Sequence, residues 1–131
     1  MKKGYYRLAT VFWVIVIIVL ATIKQVPGGI EIPFLDKITH FFEFFVLSIL
    51  LFKTFSVGEK IGNKACKTIV FGIFYSIIIE TYQLFISWRH FSVYDIAINL
   101  LGTFLGVYIL TNVTKYFSGR RPILGENYNK S

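Results

Sequence analysis

The chain has 131 residues, 55% of them hydrophobic and 18% aromatic, with only 16% charged, a balance that excludes an ordinary soluble domain and points to a membrane protein. The formal net charge of +7 does not indicate nucleic-acid binding, because that would need a soluble basic face. In an apolar chain, charge follows topology first.

Four apolar runs, Leu8 to Ile23, Ile38 to Phe52, Thr68 to Phe85 and Ile96 to Val113, approach the ~17 to 25 residues that a spanning helix needs. Lys37 and Lys53 lengthen the second by snorkelling, giving spans at about 8–23, 37–53, 68–85 and 96–113. The expected fold is all-α: an integral membrane four-helix bundle whose short connections make neighbours antiparallel. It forms one domain over residues 1–117, followed by a cytoplasmic tail at 118–131. Eleven of the fourteen Lys and Arg residues fall before the first run, around the second connection or in the tail. Both termini are therefore expected in the cytoplasm.

The first run has no ionisable residue between Arg7 and Lys24 and reads as scaffold or lipid-facing wall, with Tyr5, Tyr6 and Trp13 at its interfacial end. It also resembles a signal peptide, but no small-x-small cleavage site follows its core, so an uncleaved span is expected. The next segment, "KQVPGGIEIPFLD", is broken by Pro27, Gly28, Gly29 and Pro33, yet is too apolar for a free loop. It is expected to lie on the outer headgroups or to fold over the bundle mouth. The second connection, "SVGEKIGNKACK", reads as an ordinary cytoplasmic turn holding the lone Cys66, a bystander thiol. The third, "ISWRHFSVYD", gathers Trp88, Arg89, His90, Phe91, Tyr94 and Asp95 on the outer side. Of these, His90 and the aromatic residues read as interfacial. The last segment, "SGRRPILGENYNKS", has no periodicity and reads as a partly disordered tail.

Each of the last three helices carries one polar stripe. Asp36, His40 and Glu43 share a face of the second. Gly72, Ser76, Glu80 and Gln83 do so on the third, and Asp95, Asn99, Gly102 and Gly106 on the fourth. The repeated Asp36/His40 and Asp95/Asn99 spacing also suggests two related hairpins. At a rise of ~1.5 Å per residue, Glu43, Glu80 and Asn99 lie roughly 10, 8 and 6 Å inside the outer surface, so the stripes can meet. Buried ionisable groups must pair, and Arg89 is placed to bridge two of Asp36, Glu80 and Asp95. Gly102 and Gly106 form a small-xxx-small seam for close helix approach. The competing reading is that these residues only join helices by hydrogen bonds. So many titratable groups converging from separate segments favour an outward-facing functional site instead.

The ordered set "DKITHFFEF", "ETYQLF" and "RHFSVYDIAINLLG" resembles the VanZ-like family over roughly Asp36 to Gly106. The motif positions are Asp36, Lys37, His40, Glu80, Gln83, Arg89, Asp95, Asn99 and Gly102, while Glu43 falls where less polar residues are expected. The resemblance implies a multi-pass protein of the bacterial cell membrane whose namesake is linked to teicoplanin resistance, and it supplies no reaction. The expected function is to bind or act on a lipid-linked envelope ligand or a lipoglycopeptide, in contact with membrane lipids. Asp36, His40, Glu80, Arg89 and Asp95 are the reactive candidates. Lys37, Gln83, Asn99 and Glu43 are the ligand-binding ones. Whether the chain is an enzyme is left open, and no cofactor is expected. Metal-assisted hydrolysis through His40, Glu43 and Glu80 is set aside, because one His with carboxylates is weak support for zinc. A proton or ion relay is disfavoured because no acidic residue continues the stripes toward the cytoplasm. A non-catalytic structural or regulatory role in the envelope is the remaining alternative.

Overall fold

The structure is a computed structural model and describes residues 2–23, 34–55, 58–87 and 89–119. Four helices follow one another: α1 (Lys2–Thr22), α2 (Leu35–Thr54), α3 (Ile61–Gln83) and α4 (Val93–Gly119). The all-helical four-helix expectation is met among these residues. The Pro27 to Pro33 breaker cluster, Trp88 and the tail from Arg120 lie outside them.

The helices run further than the apolar runs alone. α3 begins at Ile61, seven residues before Thr68, because Asn63, Lys64 and Lys67 continue the helix beyond its apolar part. The second connection is correspondingly shorter than its polar composition suggests. It turns at Gly58, whose φ of 95° is open to glycine and strained for other residues. At the start of α4, Ser92 acts as N-cap: its Oγ accepts the Asp95 N–H at 3.2 Å and its carbonyl accepts the Ile96 N–H at 3.3 Å.

Contacts between helices fix their directions. Lys37 beside Asp95, and Gly102 against Phe41, make α2 and α4 parallel. Gly72 against Thr103 and Ser76 against Asn99 make α3 and α4 antiparallel. The end of α1, the start of α2, the end of α3 and the start of α4 therefore share one mouth. α2 packs on all three other helices, and most extensively on α4, whereas α1 and α4 do not touch among the described residues.

The apolar core joins α1, α2 and α3 through Ile17, Ala21, Phe44, Leu47, Leu51, Tyr75 and Ile79. Hydrogen bonds lock it: Tyr75 OH donates to the Val14 carbonyl at 2.8 Å, and Trp13 Nε1 to the Glu43 carbonyl at 2.9 Å. Outside this core, the distribution is the reverse of that in a water-soluble protein. Glu80 and Asn99 are fully buried, while Leu8 and Phe74 are 76% and 69% exposed. Gly4–Thr22, Ile61–Gln83 and Val93–Gly119 are long and apolar enough to cross a membrane. α2 is not among them, since Asp36, Lys37, Glu43 and Lys53 interrupt its apolar character. Its 20 residues nonetheless extend about 30 Å, the thickness of a hydrocarbon core.

Candidate functional site

The shared mouth gathers charge from three places. Asp36, in the first turn of α2, accepts from Arg89 in the α3–α4 connection, with Nη1 to Oδ1 at 2.9 Å. Arg89 Nη2 lies 3.5 Å from the Leu20 carbonyl near the end of α1, so one guanidinium spans α1 and α2. The fork thus meets one carboxylate where the sequence suggested two. Asp95 pairs instead with Lys37, Nζ to Oδ1 at 3.3 Å.

Glu80 has a different partner again. Its Oε2 accepts the Ser92 N–H at 3.3 Å. In an ordinary capping box the residue three positions after the cap, here Asp95, takes that N–H. A carboxylate from α3 takes it instead, and the Asp95 side chain is left to meet Lys37.

His40 sits one turn inside Asp36, with its side chain 5% exposed. Its Nε2 is 3.9 Å from Asp36 Oδ2 and its Nδ1 is 4.0 Å from Glu43 Oε2. These three residues and Arg89 form the polar wall of a cavity of about 180 Å3. The rest of the lining is largely apolar: Leu20, Ala21 and Ile23 at and just past the end of α1, and Leu35 at the start of α2, with Thr39.

The remaining expected site residues stand outside the lining of that cavity. Lys37 and Asp95 do not line it, and neither do Glu80, Gln83 and Asn99, all three of which are almost fully buried. Asn99 Nδ2 donates to Ser76 Oγ at 2.9 Å, and Thr103 Oγ1 donates to the Asn99 carbonyl at 3.0 Å. Among the described residues, His40 Nδ1, Glu80 Oε1, Gln83 Nε2 and Asn99 Oδ1 are buried without a hydrogen-bond partner. His90 is exposed and away from the cavity, in line with an interfacial residue.

Three participants carry little or no mark in the sequence. Ser92 has a signal, because Ser-x-x-Asp at the start of an apolar run is a helix-start signature. Thr39 lines the cavity and Leu20 supplies a carbonyl, and neither has any local signature.

A family model described as VanZ/LLP1 matches residues 3–114. The chain belongs to that family. This VanZ/LLP1 chain is also 29% identical over 93 residues to an uncharacterized protein of Schizosaccharomyces pombe. The match covers 71% of this chain and 57% of the yeast protein, so the chain spans little more than half of that relative's length. No solved structure matches it. The cavity lining and the buried residues outside it all belong to the matched segment.

Proposed function

We propose that the chain crosses the membrane four times, with both termini cytoplasmic, and that its outward mouth binds the polar head of an amphipathic envelope ligand. The ligand class is a lipid-linked cell-wall precursor or a lipoglycopeptide. The carrying observation is the cavity with a mixed lining, in which apolar Leu20, Ala21, Ile23 and Leu35 stand with Asp36, Thr39, His40, Glu43 and Arg89. An apolar lining with a few convergent polar groups is the usual form of a ligand site. The apolar exterior and the eleven basic residues expected on one side support the membrane placement.

In this reading, Asp36 fixes Arg89 and leaves other guanidinium N–H groups to meet an anionic or carboxylate group. Glu43 and His40 accept hydrogen bonds from ligand hydroxyl or amino groups. His40, flanked by Asp36 and Glu43, is the group placed to move a proton at a bound head group. Glu80, Gln83, Asn99 and the Lys37–Asp95 pair hold the mouth in shape. A contribution to teicoplanin-class resistance in a bacterial membrane would follow from capture of either ligand at the outer face.

A purely structural role has one observation in its favour: Asn99 and Glu80 are engaged between segments rather than in the cavity. The two readings separate experimentally. Protein in nanodiscs should bind a fluorescent teicoplanin-class ligand or lipid-linked precursor, and Arg89→Ala should weaken binding at least about tenfold, as loss of a charge-assisted pair does. Absence of binding to both, or an unchanged affinity in Arg89→Ala, removes the proposal.

A further inference from the structure

Four carboxylates, Asp36, Glu43, Glu80 and Asp95, stand at the mouth or just beneath it, and none is fully exposed. Among the described residues they face two fixed cations there, Arg89 on Asp36 and Lys37 on Asp95. Arg89 and Lys37 thus leave Glu43 and Glu80 without a fixed cation within salt-bridge distance among the described residues.

A set of metal-ligating atoms also converges at the mouth. One ligand atom each from Asp36, His40 and Asp95 lie within 4.8 Å of one another. Donor atoms around an ion with bonds of about 2.1 Å stand roughly 3 to 4.2 Å apart, so small side-chain rotations close the gap. Asp36 gives Oδ1 to Arg89 and turns Oδ2 toward His40 Nε2, so an ion can bind at Oδ2 with the Arg89 pair intact.

A second, independent feature lies beside this group. Among the described residues, Glu80 Oε1 and Asn99 Oδ1 are fully buried acceptors without a hydrogen bond of ordinary length. Glu80 is tied through Ser92 to the backbone of Asp95. Asn99 is one turn inward from Asp95 and, in the parallel register of α2 and α4, level with His40. Both would accept hydrogen bonds from water bound to an ion, and burial without such bonds is otherwise costly.

We infer that Asp36, His40 and Asp95 bind one divalent cation, with Glu80 and Asn99 holding its waters. Two carboxylates and one imidazole suit Mn2+ better than the harder Ca2+ or Mg2+. This set differs from the His40, Glu43 and Glu80 group that was set aside on the sequence, because Asp95 of α4 rather than Glu80 of α3 stands beside His40. The site shares Asp36 and His40 with the cavity, so a cation on His40 would take the place of its proton-moving role, whereas ion retention itself needs no lipid-linked ligand.

The test uses full-length protein in nanodiscs, stripped with chelator, loaded with Mn2+ and desalted. One Mn2+ per chain is expected, with imidazole nitrogen coupling in pulsed electron paramagnetic resonance. His40→Gln should abolish the coupling, and Asp95→Asn should lower retention at least tenfold. Retention well below one ion per chain, or stoichiometric Mn2+ without nitrogen coupling, overturns the inference. Both of these readouts come from the unsubstituted protein, so they decide the matter even where a variant fails to fold.

Discussion

Gly102 is the position where one methyl group should do the most damage. A Cβ there would fall well inside contact distance of the Phe41 carbonyl oxygen, 3.1 Å from Phe45 N and 3.3 Å from Phe41 C. All three are backbone atoms, so no side-chain rotation relieves the clash. Ordinary contact is about 3.5 Å or more, so α2 and α4 must part by on the order of 1 Å. Overpacking of this kind costs about 1 to 3 kcal/mol, partly offset by the ~0.5 to 1 kcal/mol that Ala gains over Gly within a helix. At Gly106 the closest atom is Ser48 Oγ, a side chain that can turn away, although the Phe45 carbonyl stays at 3.1 Å. Gly62 has nothing within 4 Å. Unfolding in mixed micelles, followed by circular dichroism, should rank Gly102→Ala as most destabilised, Gly106→Ala next and Gly62→Ala as neutral to slightly stabilised. Ser48→Ala should recover part of the Gly106→Ala loss and none of the Gly102→Ala loss. If Gly102→Ala stays within about 0.5 kcal/mol of Gly62→Ala, the usual span for harmless substitutions, α2 and α4 do not meet at this seam.

Trp13→Phe removes the indole donor to the Glu43 carbonyl and should lower stability by about 1 kcal/mol in the same unfolding assay. Asn99→Ala and Ser76→Ala should couple by about 0.6 to 1.7 kcal/mol in a double-mutant cycle, and additive effects would show that their hydrogen bond contributes nothing. Cys66 is a free, exposed thiol near the start of α3. With cytoplasmic termini, a membrane-impermeant maleimide should label it in inverted vesicles and not in intact cells, and the opposite pattern would reverse the topology.

The polar stripes were legible because helical periodicity depends on spacing alone. His40 with Glu43, Ser76 with Glu80, and Asn99 with Gly102 each fall on the buried side of their helices. Pairing was not legible. Arg89, Lys37, Asp36, Asp95 and Glu80 allow several matchings of opposite charge, and the choice was made by the parallel register of α2 and α4. Ser92 decided it further, by taking Glu80 into the cap of α4. Depth alone did not tell which residues line the cavity: Glu80 and Asn99 reach its level without lining it, because residues on one face can still sit in different layers. α1 looked like plain scaffold, since a backbone carbonyl such as that of Leu20 has no mark in a sequence. Helix ends were missed where polar residues such as Asn63 and Lys64 continued α3 past its apolar stretch.

The dependence of α2 on its neighbours has a consequence for how the protein is made. If α2 spans the membrane as proposed, its charges are costly to seat, since a charge at the middle of a span costs about 2.5 to 3.5 kcal/mol even on insertion scales. The partners of Asp36 and Lys37 are Arg89 and Asp95, which leave the ribosome 53 and 58 residues later. Until then Asp36 and Lys37 lack the charge partners that they have among the described residues. Stable seating of α2 and completion of the site are therefore one event, timed by synthesis of α4, and a nascent chain stalled before Arg89 should expose α2 to quality-control proteases.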